Sequence, residues 1–381
     1  MRTGRMIIAL AAMAAATLPA DARSAAPQYV GVRLGTLGGT SASSSAINAQ
    51  GDVVGSARTP GDVAVHGFLH VGGSMVDIGV VGGDSCSIAN DVNDQGQVVG
   101  ASDYACEANN RPSLFVNGTH SYLFGLFDFG QATSINNAGQ IVGWSGSTSG
   151  PHAFLLSGGA TTDLGTLGGR DSFAYAINDR AEIVGDAATA FPTLAVPFPP
   201  TRAFLYSAGT MRDLGTLGGT HSFARSINNR GEIAGYSTTT ADAQTHAFVH
   251  ANGVMKDLGT LGGGASLAFG INDAGWVVGR SLATGDVEWR AFLHADGAMH
   301  DINALLQNDL GGDTIDHAHA INGRGQIAAT ACDQRSGRCT AYRLDPVPVA
   351  SAAEEIPALS WSMLLALSIA IGATLLAARS A

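Results

Sequence analysis

The sequence predicts an all-β fold: a seven-bladed β-propeller of four-stranded antiparallel blades, with an N-terminal strand completing the last blade. Three observations carry this. The heptapeptide DLGTLGG recurs unbroken at Asp163 to Gly169, Asp213 to Gly219 and Asp257 to Gly263, and a shortened copy stands at Leu34 to Gly39. The pair Ile-Asn or Val-Asn recurs at Ile47, Val92, Ile135, Ile177, Ile227, Ile271 and Ile321, seven copies spaced 42 to 50 residues apart. That period is the length of a propeller blade. Finally, a surplus strand at the start of the array matches a missing strand at its end.

Each unit holds four strand-like runs. In the fifth they are Ser222 to Asn228, Glu232 to Ser237, Thr245 to His250 and Val254 to Thr260. Asn228-Asn229-Arg230-Gly231 joins the first two as a tight turn, with Gly where a positive φ is wanted. Ala251-Asn252-Gly253 joins the last two. The third run carries one aromatic ring per unit, at Phe68, Phe115, Phe154, Phe204, Phe248, Phe292 and Tyr342. These rings are expected to fill the core.

The fourth run is degenerate at Val76 to Val81 and Leu123 to Gly130, and the seventh unit stops after Leu344 without one. The orphan run Tyr29 to Leu37 supplies it, which closes the ring and removes an open edge. A β-solenoid, with shorter rungs and parallel strands, needs no such match.

Composition agrees. The 381 residues include 51 Gly, 45% hydrophobic residues and only 13% charged ones, which fits short strands with many tight turns. A net charge of −11 without any basic stretch excludes nucleic acid as a partner.

The two ends read as addresses. Residues 1–22 form a signal peptide, with Arg2 and Arg5, an apolar run Met6 to Leu18, and small residues Ala20 and Ala22 at the cleavage site. Residues 29–345 form the repeat domain and 346–357 a linker. Segment 358–378 is a C-terminal transmembrane or sorting helix, since Leu359 to Ala378 carries no charge and Arg379 follows it.

Candidate sites lie on one face, where the loops between second and third strands vary in length while the other turns are short and uniform. Variable loops on a rigid scaffold are where binding concentrates. Tyr104, Phe191, Phe198 and Trp289 are the candidate binding residues there. The four cysteines map to the same face, and their placement predicts disulfides Cys86–Cys106 and Cys332–Cys339. Asp313, Asp316, His317 and His319 form the one candidate metal cluster, His317 and His319 sharing a strand face. No cofactor is otherwise predicted. His66, His152 and His246 hold one repeat position and diverge around the ring, so a structural role is expected of them. The Asn-Asp pairs before the turns, as at Asn93-Asp94, read as turn chemistry rather than calcium ligands. No GxSxG, HExxH or helix-linked GxGxxG motif is present.

DLGTLGG, INxxGxIVG and the words His152-Ala153-Phe154 and His246-Ala247-Phe248 together resemble the bacterial extracellular repeat, HAF family, over roughly Leu34 to Leu344. The resemblance implies export and a propeller fold, and no established activity. Ile356-Pro357-Ala358-Leu359-Ser360-Trp361 resembles an IPTL-type C-terminal sorting signal, which implies processing near Ile356 and Pro357 by a sorting machinery. The expectation is an exported, non-catalytic cell-surface propeller that binds a carbohydrate, matrix or protein ligand and meets the membrane through its C-terminal segment. A propeller enzyme acting on extracellular polysaccharide is the alternative.

Overall fold

Strand β1 (Tyr29–Arg33) begins the fold but pairs with the last strand of the chain. The computed structural model describes residues 26–348, apart from 105, 107–109, 124–128, 147–149, 193–198 and 334–335. Four-stranded antiparallel sheets then follow in chain order. They are β2 (Ala42–Ile47), β3 (Val53–Arg58), β4 (Val65–Val71) and β5 (Ser74–Gly79); then β6 (Cys86–Val92), β7 (Val98–Asp103), β8 (Arg111–Val116) and β9 (Thr119–Tyr122). Next come β10 (Gly130–Ile135), β11 (Ile141–Gly146), β12 (Pro151–Ser157) and β13 (Ala160–Asp163), and β14 (Ser172–Ile177), β15 (Ile183–Ala188), β16 (Thr201–Ser207) and β17 (Thr210–Asp213).

The fifth and sixth groups are β18 (Gly218–Ile227), β19 (Ile233–Thr239), β20 (Thr245–Ala251) and β21 (Val254–Asp257), then β22 (Gly262–Ile271), β23 (Val277–Ala283), β24 (Trp289–Ala295) and β25 (Ala298–Asp301). A parallel bridge between Thr245 and Ala265 joins these two groups into one eight-stranded sheet. The last sheet runs β26 (His317–Ile321), β27 (Ile327–Asp333), β28 (Arg338–Pro346) and then β1. The described residues hold no α-helix, only short 3₁₀ turns.

The first strand of each group lies against the first strand of the next, and β26 lies against β2, so the inner strands close a ring. This is the arrangement of a β-propeller. Its core lies between neighbouring sheets. Phe204 packs with Ala153 and Leu164 of the preceding unit, and Phe248 with Val184 and Ala203. Phe68, Phe154, Phe204, Phe248, Phe292 and Tyr342 are all buried, as expected of the third-strand ring, while Phe115 is half-buried.

Side-chain amides tie the ring a second time. Asn48 Nδ2 donates to Asn93 O, Asn93 to Asn136 O, Asn136 to Asn178 O, and Asn178 to Asn228 O. Asn228 then donates to Asn272 O, Asn272 to Asn322 O, and Asn322 back to Asn48 O. Each Oδ1 meanwhile accepts two backbone N–H groups of its own turn, as Asn178 does from Arg180 and Glu182. The Asn is therefore a turn former and a link to the next sheet at once.

Buried serines make a third tie. Ser172 Oγ accepts from Ala153 N and donates to Gly165 O of the preceding unit. Ser222 and Ser266 repeat the pattern toward Ala203 with Gly215, and Ala247 with Gly259.

The DLGTLGG motif differs from its expected form. The fourth strand ends at the Asp, not at the Thr: β21 stops at Asp257 and β1 at Arg33. Asp163 Oδ1 accepts from Gly165 N, and Gly165 has φ +74°, so the chain turns there and leaves the ladder. The other carboxylate oxygen accepts from the histidine near the start of the third strand: Asp163 from His152 Nδ1 at 2.9 Å, Asp257 from His246 at 2.7 Å, and Asp77 from His66 at 2.9 Å. The two repeated sequence words thus meet in one clasp, which gives these histidines their structural role. The degenerate run Leu123 to Gly130 is also corrected, because the fourth strand there is β9, ending at Tyr122.

Every inner strand carries a register shift at the same place, two residues before the Ile/Val-Asn pair. It falls between Ser44 and Ala46 in the first unit and between Ala318 and Ala320 in the seventh. The extra residues are Ser45, Asn90, Thr133, Tyr175, Arg225, Phe269 and His319. A bulge of this kind re-aims a side chain, and these seven line the central channel. The second-strand glycine makes room for it. A Cβ at Gly143, Gly185, Gly235 or Gly279 would collide with the carbonyl of Gln131, Phe173, Phe223 or Leu267.

The segments assigned to the signal peptide (1–22, with Ala22) and to the C-terminal helix (358–378, with Ile356 and Pro357 before it) lie outside the described residues. Among the described residues no helix is long and apolar enough to cross a membrane.

Candidate functional site

The face bearing the variable loops carries two grooves. The larger, about 810 Å³, runs between the sixth and seventh units, past Trp289, Asp313, Asp316 and the Cys332–Cys339 bridge. Both disulfides are those read from the sequence, with Cα–Cα distances of 5.3 Å for Cys86–Cys106 and 4.1 Å for Cys332–Cys339. The second groove, about 390 Å³, lies between the fourth and fifth units, lined by Phe173, Phe223, His221 and Pro192.

The expected metal cluster is not one group. Asp313 accepts from Arg33 Nη2 at 2.7 Å and from Tyr342 Oη at 2.6 Å, at the β1 seam. Asp316 Oδ1 accepts from Cys332 N. His317 and His319 do share a face, their rings stacked at 5.5 Å. His317 Nε2, however, accepts from Arg280 Nη1 at 2.6 Å, which leaves its ring proton on Nδ1, 3.2 Å from Asp316 Oδ2. Burial pushes His319 down to about 4, so it stands neutral. Each carboxylate is thus committed to a protein donor, and the described residues contain no group of three or more His, Cys, Asp or Glu placed to hold a metal ion.

Rings and guanidinium groups instead form two clusters that run from this face down to the central channel. Arg280 lies 4.3 Å over Trp289 and 6.0 Å from Phe269, which stacks on His319. Phe223 stacks on Tyr236 at 5.0 Å, and Arg225 lies 3.8 Å over Tyr175. Trp144 meets Phe173 edge to face at 5.5 Å. Tyr104 and Phe191 are exposed, at 73% and 60%. Phe198 lies outside the described residues. Of the three described binding candidates, Trp289 alone lines one of these grooves; Tyr104 and Phe191 stand out from loops. Phe173, Phe223 and Arg280 went unread in the sequence. Their signal was available: they stand at two cross-strand repeat positions that vary from unit to unit, Ser43, Ile88, Gln131, Phe173, Phe223, Leu267 and His317 on the first strand and Ser56, Ala101, Trp144, Asp186, Tyr236, Arg280 and Thr330 on the second.

Two buried carboxylates stand below this face. Arg225 and Asp186 make an ion pair at 3.3 Å, and burial still holds Asp186 up at about 6. Asp91 accepts from Val92 N, Ser134 Oγ and Ile135 N, and burial raises it from 3.8 to about 6. The sign follows. The folded state keeps a proton that the unfolded chain gives up, so each carboxylate lowers stability as pH rises from about 4 to about 6. Ser134 and Ser226 serve the equivalent amides, Ile177 N and Ile271 N, without a charge. Asp91→Ser is therefore expected to flatten part of the decline between pH 4 and 6, by up to about 3 kcal/mol. Urea midpoints measured across that range check it, and an unchanged slope refutes it.

No family model and no curated protein matches the chain. Among solved structures, it is similar to a gluconolactonase of Xanthomonas campestris, at 12% identity and TM-score 0.40, covering 66% of this chain and 83% of that one. It is similar to TolB of Acinetobacter baumannii, at 13% and 0.45, covering 68% and 62%. A third similarity is to the acylaminoacyl peptidase of Pyrococcus horikoshii, at 11% and 0.44, covering 76% and 49%. None of these scores reaches 0.5, and the fold rests on this chain's own strand pairing.

Proposed function

We propose that the protein is an exported seven-bladed propeller of the HAF-repeat type, closed by β1 as the fourth strand of its last blade. It binds a carbohydrate at the variable-loop face and performs no catalysis there. The observation that supports this is the pair of grooves on that face, one holding Trp289 with Arg280 over its ring and the other lined by Phe173, Phe223 and His221, each with polar side chains beside the rings. Aromatic faces with polar neighbours suit sugar rings, which offer C–H faces and hydroxyl edges. Two disulfides fit an oxidising compartment, in keeping with the signal read at residues 1–22. The C-terminal segment would hold the domain at the membrane or deliver it to sorting machinery.

The test is a glycan array with the full chain and with the triple variant Tyr104→Ala, Phe191→Ala, Trp289→Ala. The expected result is binding to a defined glycan set, weakened at least tenfold in the variant, about 1.4 kcal/mol. Equal binding by both proteins would sink the reading. The enzyme alternative draws on the Asp316–His317–Arg280 chain. Depolymerisation of a polysaccharide by the full chain, lost in His317→Ala, would favour it instead.

A further inference from the structure

The seven bulge residues form a second, inner site. At two nearby repeat positions one residue type serves nearly every unit: Ala one place before the bulge in six of seven units, Asn three places after it in all seven. Packing and ring closure are met by that uniformity. At the bulge itself no residue type occurs twice. The bulge aims each of these side chains into one cavity of about 250 Å³ on the ring axis.

The differences are sorted around the ring. Units one to three contribute Ser45, Asn90 and Thr133, short and hydrogen-bonding. Asn90 gives its Nδ2 to Ala132 O at 2.8 Å, and Thr133 its hydroxyl to Ala174 O at 2.9 Å, which leaves an oxygen on each to accept. Units four to seven contribute a wall of rings: Tyr175 beneath Arg225 at 3.8 Å, then Phe269 stacked on His319 at 6.3 Å. His319 Nε2 is buried in this wall without a hydrogen-bond partner among the described residues. The charged groups of the wall are already engaged. Arg225 holds Asp186 and Tyr236, and Asp91 holds two amides and a hydroxyl.

We infer that the channel binds one small neutral polyol, a single monosaccharide ring, with its C–H face on Phe269 and its hydroxyls toward Ser45, Asn90 and the free nitrogen of His319. A cavity of about 250 Å³ is below the range of roughly 300–1,000 Å³ that takes drug-sized ligands, so a longer chain can place only its end there. Charges already matched leave no place for an anionic or cationic ligand. The site is separate from the outer grooves, and its failure leaves the outer reading standing.

The experiment is calorimetric titration of the full chain with glucose, galactose, mannose and N-acetylglucosamine, with glucuronate as the charged comparison. The expected result is one site per chain for at least one neutral sugar, weakened about tenfold in Phe269→Ala. Ser45→Phe is expected to abolish it by filling the cavity; the sixth unit already accommodates Phe at this position, so the fold is expected to stand. Val254→Ser, on an outermost strand, is expected to bind as the parent does. Binding that survives Ser45→Phe overturns the inference, as does glucuronate in preference to every neutral sugar, or no binding by any of the four.

Discussion

A chain lacking residues 26–33 is expected to lose its cooperative unfolding transition. These residues include β1, whose five Cα pairs with β28 close the last sheet. Tyr29 is fully buried there among Leu293, Ile302, Ile315 and Tyr342. Removing a buried aromatic ring of this kind costs about 3–5 kcal/mol on its own. The deletion also strips Gly31 from Asn308, Tyr29 O from Gln307, and Arg33 from Asp313. Together these approach the whole stability of an ordinary domain, about 5–15 kcal/mol. The exposed edge of β28 would then recruit other chains. Denaturant melts and size-exclusion chromatography are the measurement. A peptide covering residues 26–34, added in trans, should restore the transition; an unchanged midpoint in the deleted chain would show the strand to be dispensable.

The second large effect is expected from Asn178→Asp. Asn178 is buried and makes four hydrogen bonds, two through Oδ1 and two through Nδ2, to Asn228 O and Glu182 Oε2. A carboxylate in its place turns an oxygen on both acceptors and sets two negative charges together. The loss is expected to be about 3 kcal/mol or more at neutral pH, with the denaturant slope unchanged. It should shrink as the pH falls toward the ordinary carboxylate range, because burial beside Glu182 lets the new carboxyl take up a proton there and donate again. Urea unfolding at pH 4 and pH 7 reads both parts, and an equal loss at the two pH values would exclude this account.

Much of the fold was legible because the repeat writes each strand several times. The Ile/Val-Asn pairs located the inner strands, the matched surplus at Tyr29 located the seam, and four cysteines on one face paired as expected. The end of the fourth strand was not legible. Leu164 to Thr166 reads as the end of an extended strand, yet the cap from Asp163 and the positive φ of Gly165 turn it out of the ladder. Asn48 and its six equivalents read as turn formers only, since the carbonyls they reach lie in the next unit. The supposed metal cluster failed for a related reason. Sequence nearness hid the fact that Asp313 faces Arg33, at the far end of the chain. The bulge ring was written in the sequence as seven dissimilar residues at one repeat position, but a regular strand pattern gives no reason to attend to them.

The seam has a mechanical consequence. Val347 N donates to Gln28 O at 2.8 Å, so the two ends of the described chain leave the domain side by side. A load drawn through the C-terminus enters along β28. That strand has a neighbour on each side, β27 and β1. Pulled along its length, it can move only by breaking both ladders together, in shear, rather than unzipping from an edge one bond at a time. A domain tethered there would resist dragging by flow far better than its thermodynamic stability alone suggests.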